Sequence, residues 1–433
     1  MKSVSNKINF PELESRILEF WRKENIFRKS VEERPADNEF IFYDGPPFAT
    51  GLPHYGHLLA GTIKDVIPRY KTMQGYRVER RFGWDCHGLP VEYEIEQTLG
   101  LKGRPDIEEF GVGNFNEECR KIVLRYAGEW RETVERMARW IDFENDYKTM
   151  DLTFMESVWW VFDQLWKKGL IYEGVKVMPY SWRVSTPLSN FEANLNYKDT
   201  QDPSVTVKFA LTSEPNTSIL AWTTTPWTLP SNLALCAGPN LNYVCLQPHG
   251  SEEKYWICEG RLSAYFEEGS YQIIKRCDGK ELEGLAYEPI FRFADGRVDL
   301  SKARRVLLDE YVSDESGTGI VHQAPAFGED DLRICQREGI PVFDPVDTEG
   351  NFCNYMDFIA GMNIKEADKT IIRQLKEQGS LFRQDTIQHS YPFCWRTDTP
   401  LIYKAISTWF VNVEAIKDRM VSHNQNVHWV PRS

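Results

Sequence analysis

The chain has 433 residues, too many for a single core of ordinary size, so about two or three domains are expected. Its 42% hydrophobic content, mixed with both signs of charge, describes a globular protein, and no apolar run is long enough to span a bilayer. The formal charge of −13, from 51 basic and 64 acidic side chains, argues against a small nucleic-acid binder held by general electrostatics, which would usually be basic; the chain either ignores nucleic acid or holds it through local basic surface and specific pockets.

The first residues lack a signal-peptide core and predict a helix entered at Asn9 and Pro11, with Leu13, Ile17, Leu18 and Trp21 on one face. Phe40 to Tyr43 predicts a short buried strand, stopped at Asp44-Gly45-Pro46-Pro47. Helical spacing runs from His57 to Met73 through Leu58, Leu59, Thr62, Ile63, Val66 and Ile67, with a kink expected at Pro68. Cys119 to Phe143 and Leu152 to Leu170 predict long amphipathic helices rich in tryptophan. This is α/β ordering.

Composition changes near Tyr197. From there to about Glu288, runs such as SVTVKFAL, SILAWTTT, NYVCL and YWICEG alternate apolar and polar residues between Gly, Pro and Asn, which predicts an all-β domain with barrel-like closure. The pattern continues through RVLLDEYV and GIVHQAP, and a helix is expected over Glu366 to Gln378. From His389 the chain regains aromatic, helix-leaning character, as if a β domain were inserted into an α/β one. Nine cysteines, an odd number without a pairing pattern, predict reduced thiols and a cytoplasmic chain. The Asn-Thr-Ser triplet at Asn216 is read as chance, there being no secretory signal.

The stretch YDGPPFATGLPHYGH places strand, Gly/Pro turn and helix in order, so His54 and His57 fall at a helix N-terminus, where free N–H groups and the dipole favour anions. One turn apart, the two imidazoles share a face and suit a polyphosphate whose charge grows during attack at phosphorus. Gly56 has no side chain, so a flat base can approach the backbone. No G-x-x-x-x-G-K-[ST] loop is present in this stretch. The plain alternatives are an ordinary helix start, or a metal pair, for which no acidic or cysteine ligand lies at a usual spacing.

DGPPFATG followed by HYGH resembles the HIGH signature of class I aminoacyl-tRNA synthetases, and GYRVERRFGWDCHGLPVE (Gly75 to Glu92) makes the pair similar to the isoleucyl-tRNA synthetases. The resemblance implies the first part of a Rossmann-like catalytic domain (1–180), a connecting hairpin (181–196), an inserted β-barrel editing domain (197–388) and a return segment (389–433). It implies that His54 and His57 contact ATP phosphates, that Gly56 lies under adenine, and that Gly45, Pro46 and Phe48 border the isoleucine site. Asp85 would accept the substrate ammonium group, as a partly shielded carboxylate can; read cold, it is a helix cap. Trp84 and Cys86 read as packing residues. The implied partners are isoleucine, ATP with Mg2+ as substrate, and tRNA(Ile), with no membrane and no DNA.

Two strings in the β region, AWTTTPWTLPSN (Ala221 to Asn232) and GTGIVHQAPAFGEDD (Gly317 to Asp331), read cold as a strand entering a proline turn and a strand with a Gly-rich loop. Together they resemble the walls of the editing pocket in the isoleucine, valine and leucine enzymes. Such a pocket answers a physical need: one methylene discriminates valine from isoleucine by only about 1–3 kcal/mol, a magnitude known from this family of enzymes. By resemblance, Thr223, Thr224 and Thr225 size a valine and bind water, Asp331 holds the ammonium group, and His322 and Asn232 sit near the amino acid and terminal ribose. No protein general base is assigned. Trp227 reads as a packing residue.

The chain departs from the family in two places. Where relatives carry two C-x-x-C pairs, it reads Ser181-Trp182-Arg183-Val184 and Cys394-Trp395-Arg396-Thr397; a lone thiol cannot make a tetrahedral site, so no structural zinc is expected and the hairpin must hold by packing. The sequence also stops at Ser433, before any Lys-Met-Ser-Lys-Ser loop or anticodon-binding domain. An exposed apolar face is therefore expected. Alternatives to a ligase are a stand-alone hydrolase of mischarged Val-tRNA and a non-catalytic tRNA- or amino-acid-binding paralogue, the last disfavoured by the intact hydrolytic strings.

Overall fold

Asn9 starts the first helix by accepting the Glu12 amide on its side-chain oxygen, with Pro11 in the first turn, as the sequence predicts. The computed structural model describes residues 7–427 and 429; the first six residues and the terminus at Arg432 and Ser433 lie outside the described residues. The chain divides into two compact units, residues 1–171 with 413–433, and residues 172–412.

In the first unit α1 (Phe10–Lys23), α2 (Ile26–Glu32) and α3 (Tyr55–Met73) precede β1 (Arg81–Trp84). Then come α4 (Leu89–Leu99), α5 (Arg104–Phe110), α6 (Val112–Ile122), α7 (Ala127–Arg136), β2 (Asp142–Lys148) and α8 (Leu152–Lys167). β1 and β2 pair in parallel, and Phe82, Trp84, Val91, Phe115, Trp130 and Val134 share the core beneath them. Gly83 is required there: a Cβ would lie 2.2 Å from the Tyr147 ring.

Three expectations for this unit need correction. Phe40 to Tyr43 is not a buried strand; Ile41 and Tyr43 are exposed, and the segment is tied to its neighbour by a bridge from Glu39 to Arg77 and the Phe40 amide on the Arg77 carbonyl. Without a ladder on either side, the run leaves alternate apolar side chains uncovered. Cys119 to Phe143 is two helices and a strand, because the Tyr126 amide donates to Ala49 outside the helix and Asp142 joins β2. α3 begins at Tyr55, two residues before the predicted start.

Apolar side chains stand open on two helices of this unit. α8 has no buried residue, with Trp159 70% and Trp160 63% exposed, and α3 leaves Leu59, Ile63 and Val66 open. No described helix is long and apolar enough to cross a membrane, and all nine cysteines are free.

The second unit takes up all but the first residue of β3 (Ile171–Ser181), then β4 (Thr186–Pro187), α9 (Asn190–Ala193) and β5 (Tyr197–Ala210). β6 (Thr217–Thr223) runs into a 3-10 turn (Pro226–Ser231), followed by β7 (Ala234–Ala237), β8 (Asn242–Pro248), β9 (Lys254–Cys258), α10 (Leu262–Tyr265) and β10 (Tyr271–Asp278). β11 (Val306–Leu308), β12 (Ile320–Gln323), α11 (Glu329–Arg337), α12 (Ile364–Glu377), β13 (Leu381–Pro392) and β14 (Ile402–Val411) complete it, while α13 (Lys417–Asn424) belongs to the first unit.

The alternating runs are strands, as read. The barrel-like closure resolves instead as two sheets, a six-stranded one ordered β10-β8-β9-β6-β5-β13 and a three-stranded one ordered β11-β7-β12, sharing one core that includes Val207, Ile219, Leu235 and Ile320. The helix-leaning reading from His389 is also corrected. That segment supplies the end of β13, paired antiparallel with β5, and then β14 beside β3. Pairing with distant strands overrode local propensity. The hairpin at Ser181 holds through Trp182, whose indole donates to the Pro400 carbonyl at 2.9 Å, beside the buried Cys394.

Candidate functional site

The predicted residues gather at two places, one in each unit. In the first, the Gly45–Gly51 loop is pinned from several directions. The Asp85 amide donates to the Pro47 carbonyl (2.9 Å), the Trp130 indole to Gly51 (2.8 Å) and the Tyr147 hydroxyl to the Asp44 carbonyl (3.0 Å). The Asp44 carboxylate pairs with Lys64 at 2.5 Å and with Arg139. Phe48 bridges Asp85 in parallel, which joins the backbone of this loop to that of Asp85. Within the protein Asp85 accepts a long bond from the His87 amide (3.4 Å), which leaves most of its capacity for a cationic ligand.

His54 and His57 form a capping box at the start of α3. His54 Nδ1 accepts the Gly56 amide at 3.1 Å and His57 Nδ1 accepts the His54 amide at 3.2 Å, with the rings stacked at 3.7 Å. A nitrogen that accepts carries no proton, so both neutral rings hold theirs on Nε2 as donors. Burial, then the neighbouring His54, then Lys64 lower the His57 pKa. A Cβ on Gly56 would press within 3.0 Å of the His54 ring, so that glycine permits the cap as well as an open approach. Asp44, Lys64 and Arg139 were missed by the sequence reading; the Asp-Gly-Pro-Pro turn marked the place but not the cations.

The second place is a cavity of about 350 Å³ within the second unit, lined by Thr223, Thr224, Thr225, Thr228, His322 and Asp331 among others. β6 delivers the first threonines to its C-terminal end. Thr223 Oγ1 lies 3.2 Å from Thr225 Oγ1 and accepts the Thr225 amide at 3.1 Å, while the Thr224 hydroxyl has no partner among the described residues. β12 brings His322, whose Nε2 lies 2.9 Å from Thr228 Oγ1. Burial lowers the His322 pKa to about 4, so the ring is neutral.

Asp331, in the first turn of α11, accepts the Ala324 amide at 2.8 Å. Burial pushes its carboxyl up to about 7, against that hydrogen bond, which pulls the other way. Gly328 makes room for it: a Cβ would lie 2.6 Å from the carboxylate carbon. An acid held near neutrality by burial is a poised partner for an ammonium group, whose charge restores the ionised form.

Asn232 is not brought to this cavity. Its amide nitrogen donates to the Ala234 carbonyl and its oxygen accepts the Tyr287 hydroxyl at 2.7 Å, so the side chain is spent in the core. Thr228 was missed; it lies one turn past the threonine triplet, a spacing that only the 3-10 turn converts into a shared wall. A larger cavity of about 520 Å³ in the first unit, lined by Trp21, Arg131 and Trp140, contains none of the predicted residues.

Residues 16–433 match the family described as tRNA synthetases class I (I, L, M and V). The chain is 54% identical over 438 residues to the cytoplasmic isoleucine–tRNA ligase of Mus musculus, covering 100% of this chain and 34% of that protein. It is 54% identical to the isoleucine–tRNA ligase of Bdellovibrio bacteriovorus (99% of this chain, 41% of that one) and 56% identical to that of Protochlamydia amoebophila (98% and 41%). The chain thus spans between 34% and 41% of the length of these three curated relatives. A solved structure titled "The crystal structure of GlLeuRS-CP1" shares 14% identity, covering 44% of this chain and 99% of that one at a TM-score of 0.31.

Proposed function

The chain belongs to the class I tRNA synthetases of the isoleucine, leucine, methionine and valine group, and from that we propose that it carries two working parts of an isoleucine–tRNA ligase. One is part of the site that activates isoleucine with ATP and Mg2+. The other is the pocket that hydrolyses valyl products. The parallel β1–β2 pair with its helices is read as the start of a Rossmann-like catalytic fold, and 197–388 as the editing segment between the connecting hairpin and the return segment.

In the first part, Asp85 would hold the isoleucine ammonium group beside Gly45, Pro46 and Phe48. The two Nε2–H donors of His54 and His57 would meet the phosphates as charge develops, with adenine over Gly56. Activation joins the isoleucine carboxylate to the α-phosphorus and releases pyrophosphate; the aminoacyl group then passes to the tRNA 3′ end. Position and charge stabilisation do this work, without a covalent enzyme intermediate.

The observation that carries the reading is the convergence of the threonine hydroxyls, neutral His322 and buried Asp331 on one cavity. Asp331 would bind the ammonium group of a valyl ester, and the Thr224 hydroxyl has capacity left to order a water. Hydrolysis of Val-tRNA(Ile) with Ile-tRNA(Ile) spared, and loss of that selectivity in Asp331→Ala, tests it; equal hydrolysis of both esters defeats it. Isoleucine-dependent ATP–pyrophosphate exchange tests the activation half.

A second reading, a stand-alone hydrolase, is favoured by one feature: every residue lining the cavity belongs to the second unit. Val-tRNA hydrolysis without pyrophosphate exchange would select it.

A further inference from the structure

We propose that Asp368, remote in sequence from both editing strings, is a positioning residue that holds the threonine wall of the cavity in register; its functional consequence rests on the hydrolytic reading above. Asp368 lies in the second turn of α12, and its side chain is buried against the 3-10 turn that follows β6. Its Oδ1 accepts the Trp227 amide at 2.8 Å. Pro226 heads the turn and has no N–H, so the Trp227 amide is the first free donor there. Trp227 is 2% exposed, and water cannot take the place of the carboxylate.

The turn so anchored carries Thr225 and Thr228 into the cavity, and Thr228 in turn meets His322. The Trp227 indole also packs edge-on against Phe327 at 4.8 Å, and Phe327 lines the same cavity four residues before Asp331. One buried oxygen therefore fixes the threonine wall and, through the indole, braces the Asp331 wall. Lys365 of the same helix, Asp202 of β5 and Tyr391 of β13 are charged and titratable groups around it; burial pushes the carboxyl up to about 7, Lys365 and the Trp227 amide draw it toward ionisation, and Asp202 opposes them.

Asp368→Leu removes the acceptor at similar volume, and Asp368→Asn keeps an oxygen in its place. Amide exchange over residues 224–229 and the ratio of Val-tRNA(Ile) to Ile-tRNA(Ile) hydrolysis are measured on the intact chain. In Asp368→Leu, exchange at Trp227 should quicken at least tenfold and the ratio should fall at least tenfold, mainly through kcat. Asp368→Asn should restore both. A folded Leu variant with unaltered exchange or an unaltered ratio overturns the proposal. Should the Leu variant fail to fold, a folded Asn variant decides: a ratio within a few-fold of the parent supports the role, and a tenfold loss overturns it. A parent chain that hydrolyses neither ester defeats the cavity's assignment, and the exchange arm then decides the Asp368 contact by itself.

Discussion

His322 Nε2 lies 2.9 Å from Thr228 Oγ1, and the Thr228 hydroxyl already donates its proton to the Thr225 carbonyl at 2.9 Å. The imidazole must then be the donor in this pair, which fixes its proton on Nε2 and leaves Nδ1, buried and without a partner among the described residues, as a bare acceptor. The pair joins the wall carried by the turn to the wall carried by β12.

Replacing Thr228 by Val keeps the shape and removes the acceptor. The buried Nε2–H is left unmet, which should cost about 1–3 kcal/mol of stability, read from urea unfolding. Nitrogen NMR of the parent should show a neutral ring protonated on Nε2 from pH 8 down to about 5. A lowered His pKa means that the unfolded chain binds the proton first, so this contribution to stability is lost as pH falls from about 6.5 through about 4.

Asp331 gives the opposite sign. Its folded-state pKa is raised, so the folded chain holds a proton that the unfolded chain releases, and its contribution to stability falls as pH rises from about 4 through about 7. Asp331→Asn should therefore be more stable than the parent at pH 8 and gain nothing at pH 4. Hydrolysis of Val-tRNA(Ile) should rise with pH through the same window in the parent and lose that dependence in the variant. Equal unfolding curves at pH 8 would sink the assignment of this carboxyl as buried.

The base of α11 is tied by Asp309, which meets Arg333 at 2.9 Å and Arg337 at 2.8 Å. Hydrogen bonding from Arg333, against an opposing burial effect, holds the Asp309 carboxyl well below the usual carboxylate range. This stabilisation is present above the unfolded value near 4 and is lost as pH falls through the depressed one. Because both arginines are half exposed, the network is screened; Asp309→Asn should cost about 1 kcal/mol at pH 7, less in molar salt and less again near pH 2. Denaturation at the three conditions checks the order.

Gly83 faces Tyr147, whose hydroxyl holds the Asp44 carbonyl at the root of the Gly45–Gly51 loop. Gly83→Ala forces the ring aside, and overpacking of that kind should destabilise the first unit by about 1–3 kcal/mol. Tyr147→Phe loses the hydroxyl bond alone and should cost less. Thermal unfolding of the two variants separates the contributions.

Local chemistry was enough for much of this protein. The Asn9 cap, the helix behind His57, the strands from Val205 to Ile257 and the glycine-spaced string ending at Asp331 are each written within a few residues, because capping and side-chain alternation act over that distance. Membership of the threonine triplet, His322 and Asp331 in one pocket could be expected from resemblance but not from spacing.

Tertiary structure decided what depends on partners far along the chain. Phe40 to Tyr43 has strand-like residues but no ladder, the segment from His389 has helix-leaning residues but a partner in β5, and Asn232 stands in the right string yet turns to Tyr287. Thr228 stood unmarked within a string that was singled out, and Asp368 had no signal at all in sequence. A hydrogen bond's worth depends on whether water or protein sits at its other end, and folding alone determines which.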